Sequence, residues 1–265
     1  LPSVATDDPH RLPLMCVAAT CVGRAGDWPE SEIRARAALA EARTPADRVP
    51  AWYALTSALT RLDRRPEACE TALEAVREAG DAPVLRARAL GARVLAEFNR
   101  PDAGPLLELA RMAHEAALSA GAQRIVPAAT SNLAATLIRD HRSAEAGFML
   151  RESAAHLVRN RRAYGIVMMN LSICEMSRDL LRATEDAERA LEAFRDTGAA
   201  DAIRAALGLC GLFRAMAGDV VDALADLDEV DRPDRAARLA DGAGDLAEHP
   251  RPVVDLDADR EAVLG

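Results

Sequence analysis

The sequence predicts an all-α fold, an α-α superhelix of about six helical hairpins stacked in a row. Half of the 265 residues are apolar while only 3% are aromatic, so the core must be filled by Ala, Leu, Val and Met, which suits closely packed helices better than a sheet. Apolar stripes of helical period recur in pairs along most of the chain. The breaks inside those pairs fall near Gly26, Asp63, Arg100, His141, Arg178 and Gly218, a period of about 37 to 41 residues that belongs to repeat arrays.

Residues 127–158 show the unit most clearly. Thr130, Ser131, Asn132, Leu133, Ala134 and Leu137 are followed by the polar break Arg139, Asp140, His141, Arg142, and then by Ala144, Ala146, Leu150, Ser153 and Leu157. Ala134 and Ala146 allow two antiparallel helices to approach, while Leu133, Leu137 and Leu150 fill the space around them. One hairpin cannot bury its apolar face alone, so copies are expected to stack.

Taken in order, residues 1–10 contain two prolines and no period, and are expected to be a disordered lead-in. The array is assigned to residues 11–231. A first hairpin spans residues 12–42, with Pro29 in the opening turn of its second helix, where a missing N–H costs nothing. Its apolar run over residues 12–22 is too short to span a bilayer and is read as a buried helix. The second hairpin covers residues 50–80, carrying Trp52, Leu55, Leu59, Ala68, Ala72 and Ala75. A third, over residues 83–121, holds Leu85, Leu90, Val94, Leu95 and Phe98, a long break at residues 101–105, and then Leu106, Leu109, Met112, Ala113 and Leu118 up to Gly121. The fifth begins near Tyr164 and ends at Gly198, and the sixth runs from Asp201 to about Val230 with Leu207, Gly211, Phe213, Ala223, Leu224 and Leu227 as its stripe. Residues 232–265 become rich in Pro and Asp, with residues 236–247 expected to form a short capping helix ahead of a tail. The chain opens on Leu1 rather than Met and is expected to be a segment of a longer protein.

Several chemistries are excluded by residue type. All 33 basic residues are Arg, which removes lysine Schiff bases, lysine general bases and the Gly-Lys-Ser/Thr phosphate loop; the chain is expected neither to bind nor to hydrolyse ATP. A net charge of −9 opposes a nucleic-acid surface spread over the whole chain. The five histidines (His10, His114, His141, His156, His249) show no metal-binding spacing, and neither a metal nor another cofactor is expected. Cys16, Cys21, Cys69, Cys174 and Cys210 form no CxxC pair and sit among apolar residues, so all are expected as buried free thiols in a reducing cytoplasm. Glu185, Asp186, Glu188 and Glu192 are read as a solvated outer face, and no nucleophile motif occurs. The residues do not specify an oligomeric state.

At Trp52, Leu55, Leu59, Ala68, Ala72, Ala75 and Gly80 the spacing resembles the tetratricopeptide repeat superfamily, and the resemblance extends across residues 12–230. Thr56 departs from it, standing where Gly or Ala is usual. The longer period, the Ala/Leu/Arg content and the phrase at residues 183–191 are similar to the C-terminal helical-repeat region of large actinobacterial transcription regulators of the LuxR and antibiotic-regulatory types; residues 235–239, 250–252 and 259–261 are similar to the segment that follows those repeats.

The resemblance implies a right-handed superhelix and a non-enzymatic sensor or protein-interaction module of a cytoplasmic regulator. Its partner would be a protein or peptide, with a small-molecule inducer or a free-standing scaffold role as the alternatives; neither direct nucleic-acid contact nor membrane contact is expected. In that superfamily the inner side of each first helix lines a concave groove, where an Asn ahead of the repeat's Leu often hydrogen bonds a peptide backbone. Asn132 and Asn170, two of only four Asn in the chain, occupy that place, with helix bridging as the competing reading. Trp52, Tyr53, Ser131, Arg139 and Met169 are the neighbouring groove candidates, and Trp52 also suits the core. The run Arg159, Asn160, Arg161, Arg162 is read as a solvated loop, with anion contact as the alternative.

Overall fold

The computed structural model describes residues 10–98 and 106–230, and among them it is all helical, with twelve helices and no strand. They pair as α1 (Arg11–Arg24) with α2 (Trp28–Glu41), α3 (Pro45–Arg61) with α4 (Arg65–Ala79), and α5 (Pro83–Glu97) with α6 (Leu106–Ser119). The series continues with α7 (Val126–Arg139) and α8 (Ser143–His156), α9 (Arg161–Glu175) and α10 (Leu180–Arg195), and α11 (Ala200–Ala217) and α12 (Val220–Val230). Each helix packs on the next in sequence, as an α-α superhelix requires. The expected lead-in, the turn at Arg100, the break at 101–105 and the capping helix at 236–247 lie outside the described residues.

The hairpins turn by one repeated device. At Gly26, Asp63, His141 and Gly218 the backbone takes φ of 102°, 59°, 58° and 89°, and the two following hydrogen bonds recur each time. The Asp63 N–H reaches the Thr60 carbonyl and the Arg64 N–H the Leu59 carbonyl; His141 and Arg142 do the same with Ile138 and Leu137. This double closure satisfies carbonyls that the end of a helix leaves open. At Arg178 the turn is made differently, with the Asp179 side chain accepting from the Arg182 N–H at 3.0 Å to start α10.

Two boundaries depart from the expectation because of a cap, and two apolar stripes are narrower than expected. Helix α3 begins at Pro45, ahead of the expected start at 50, because Thr44 and Asp47 form a reciprocal capping box, and Pro50 therefore lies inside the helix. Asn160 caps α9 by accepting from the Ala163 N–H at 3.2 Å, which draws Arg161 and Arg162 out of the expected loop and into the first helical turn. The apolar stripe of α6 runs through Leu109, Ala113 and Ala117, so Met112 and Leu118 are exposed, as are Leu224 and Leu227 on α12.

The interior is made largely of alanine. Ala134, Ala146, Ala183, Ala187 and Ala190 are fully buried around Leu137, Leu150, Phe194 and Phe213, in a continuous core from α5 to α11. Four cysteines are buried, but Cys21 is exposed on α1, a correction to the expectation for all five. Burial pushes the Cys16, Cys174 and Cys210 thiols up to about 11. No helix among the described residues is long and apolar enough to cross a membrane.

Candidate partner-binding surface

The first helices of the hairpins pack on one another, α1 on α3, α3 on α5, α5 on α7 and α7 on α9, and no two even-numbered helices do so to the same degree. A layer whose members touch lies on the shorter, inner side of a curved array, so the odd-numbered helices from α1 to α9 line the concave face.

On α7 the residues left open are Ala128, Asn132, Ala135 and Arg139, while Thr130, Ser131, Leu133, Ala134, Thr136 and Leu137 are buried. Their spacing of four, three and four residues makes them a single stripe. The same stripe on α9 is Ile166, Asn170 and Ile173, with Ser177 in the turn that follows, so Asn132 and Asn170 hold equivalent places on adjacent inner helices, each half-buried. Among the described residues neither side-chain amide makes a hydrogen bond; the Asn132 carbonyl accepts from Thr136 Oγ1 at 2.8 Å, a backbone contact.

The other candidates are placed variously. Ser131 is buried, and Met169 is half-buried against the main core. Arg139 donates to the Phe98 carbonyl and lies with its guanidinium 5.9 Å from the Phe98 ring centroid, tying the end of α7 to the end of α5. Trp52 packs against two core clusters and its buried indole Nε1 finds no acceptor among the described residues, while Tyr53 lies beside it at the edge of one of them.

Sequence reasoning missed the buried charges. Asp186, read as part of a solvated face, is 1% exposed; it follows Ala183 by three residues and precedes Ala190 by four, which puts it on the inward stripe of α10. Arg189 donates to its Oδ1 at 3.1 Å, and Oδ2 has no donor among the described residues. Burial raises the Asp186 carboxyl above its ordinary range, with Arg189 and Arg182 opposing the rise. Glu175 on α9 is buried and paired with Arg151 of α8. On the exposed face of α10, Asp179, Leu181, Arg182, Glu185 and Arg189 line a depression of about 280 Å³. No group of three or more His, Cys, Asp or Glu able to hold a metal occurs among the described residues.

Curvature also brings the two ends of the array together. Arg61, the last residue of α3, lies 3.6 Å from Asp201 in the first turn of α11. Arg162 of α9 sits within electrostatic reach of Arg61 and Asp201, and of Arg24 at the end of α1 and Tyr53 of α3. Burial and the two neighbouring guanidiniums weaken the hold of Arg162 on its proton.

No family model and no curated protein matches the chain. Among solved structures it is similar to BtubC (BKLC) from P. vanneervenii, with a TM-score of 0.54 and 19% identity over 91% of this chain and 95% of that one. At that identity the likeness bears on the fold alone, and the fold is of the helical-repeat kind.

Proposed function

We propose that this chain is a non-enzymatic interaction or sensor module of the tetratricopeptide type, belonging to a cytoplasmic transcription regulator, and that it takes an extended protein or peptide segment along its concave face. The observation that carries the reading is the Asn pair. Two amides at equivalent places on adjacent inner helices, half-buried and without a hydrogen bond among the described residues, present donors and acceptors at the spacing of one repeat. An amide that bridges helices would spend its hydrogen bonds inside the chain, whereas these remain available to a peptide backbone. The regulator setting rests on the sequence resemblance of the repeats.

The test is the double variant Asn132→Ala and Asn170→Ala, titrated against the partner recovered by pull-down from the source cells. Polar substitutions at a surface shift stability by less than about 0.5 kcal/mol, while groups left unpaired in a desolvated interface cost about 1–3 kcal/mol each. Thermal denaturation is therefore expected to be unchanged and partner affinity to fall at least about tenfold. A marked loss of stability would make the two amides structural, and an unchanged affinity would place the binding surface elsewhere.

A further inference from the structure

We propose that the cluster where the two ends of the array meet is a binding site for inorganic phosphate, held between Arg24, Arg61 and Arg162 and selected by Asp201. Four helices supply it. Arg24 and Arg61 end α1 and α3, while Arg162 and Asp201 stand in the first turns of α9 and α11. Arg162 has Arg24, Arg61 and Asp201 within electrostatic reach, three guanidiniums to one carboxylate in a chain whose net charge is −9.

Several other arginines are neutralised locally. Arg11 pairs with Glu41, Arg64 with Glu32 and Glu67, and Arg214 with Glu188 and Asp226. Arg161, next in sequence to Arg162, pairs with Asp196 at 2.7 Å and lies over the Tyr164 ring. Arg162 is half-buried and makes no ion pair or hydrogen bond among the described residues, and Arg24 makes none either. Arg61 has the looser contact with Asp201 at 3.6 Å and rests over the Trp28 ring at 5.5 Å from its centroid. Within electrostatic reach of the partly desolvated Arg162 stand two further guanidiniums and the Asp201 carboxylate, an excess of positive charge that is costly to hold without an anion, and arginine binds the oxygens of a tetrahedral anion through paired N–H donors.

Asp201 sets which anion. Its side chain is only 9% exposed, and Oδ1 is buried and accepts no hydrogen bond among the described residues. A carboxylate beside a bound anion repels it unless the anion brings a proton to share. Inorganic phosphate keeps at least one proton throughout neutral pH and donates it to the carboxylate; sulfate has none. A phosphate ester loses its last proton near a pKa of about 6, so an ester dianion on a peptide or metabolite is disfavoured for the same reason. Arg162 stands about two turns ahead of Asn170 on the same face of α9, but the phosphate site does not depend on the peptide reading.

Calorimetric titration of the whole chain with potassium phosphate, sodium sulfate and phosphoserine, at neutral pH and matched ionic strength, tests the proposal. Saturable binding of phosphate is expected, with sulfate and phosphoserine at least about tenfold weaker. Arg24→Ala, an exposed change, and Arg162→Ala should each weaken phosphate binding at least about tenfold, while Arg162→Lys restores less than half of the lost binding free energy, because a point charge lacks the fork. Asp201→Asn should admit sulfate to within about threefold of phosphate. The Asn132→Ala, Asn170→Ala protein should bind phosphate as the parent does, so that failure of the groove and failure of this site are separable. Absence of saturable phosphate binding, equal binding of sulfate by the parent chain, or undiminished binding by Arg24→Ala would overturn the proposal.

Discussion

Asp186 is a charged residue on an inward stripe beside Ala183, Ala187 and Ala190, 1% exposed and paired through one oxygen with Arg189. Its carboxyl is raised above the ordinary 3.8 by burial, so the stabilisation tied to its protonated form is full below that value and is lost as pH rises through the raised one. Asp186→Asn keeps an oxygen for Arg189 and removes the charge. Thermal denaturation should accordingly show a higher Tm than the parent at neutral pH and a shrinking advantage as pH falls; a lower Tm at neutral pH would mean that the Arg189 pair outweighs the desolvation. The adjacent packing is equally specific. A Cβ at Gly165 would stand 2.7 Å from the fully buried Phe194 ring, and Gly165→Ala is expected to cost about 1–3 kcal/mol in denaturant unfolding. Only the first of these two sites was partly legible. The spacing of Ala183, Ala187 and Ala190 names the buried stripe, and Asp186 lies on it; residue type argued for solvent, and geometry prevailed. Gly165 gave no sign, because the ring it accommodates comes from a different helix.

At the scale of the element, what decides where helices begin and end is hydrogen-bond closure, and this explains which boundaries could be read. The turns at Gly26, Asp63, His141 and Gly218 were visible as polar or glycine breaks in the stripes, and each proves to hold a left-handed residue. Starts at Thr44 and Asn160 were not, because a cap is one short side chain bonding to a backbone N–H three residues on, a signal that the apolar period does not carry. The turn geometry itself makes a prediction. His141 is exposed with φ of 58°, a region that costs a side chain about 1–2 kcal/mol and glycine little. His141→Gly should therefore raise the unfolding free energy by about 1 kcal/mol with an unchanged denaturant slope; a loss would mean that the histidine ring contributes more than its backbone strain removes.

For the whole molecule, stacking was legible because every hairpin repeats the same stripe, so the evidence for it accumulates along the chain. The meeting of Arg61 with Asp201 was not, since it depends on small rotations summed over several repeats, and no local spacing encodes the total. Curvature also divides the surface in two. The inner stripe carries Asn132, Ala135, Asn170 and Ile173, while the even-numbered helices expose apolar side chains such as Ile33 at 62% and Phe148 at 63%, a rival place for a partner to dock. The concave reading is tested most directly by placing a photo-crosslinking side chain at Ala135 in one protein and at Phe148 in another, and irradiating each with the partner. Capture from position 135, reduced when Asn132 and Asn170 are also replaced by alanine, is the result this account predicts; capture from position 148 with position 135 silent would contradict it.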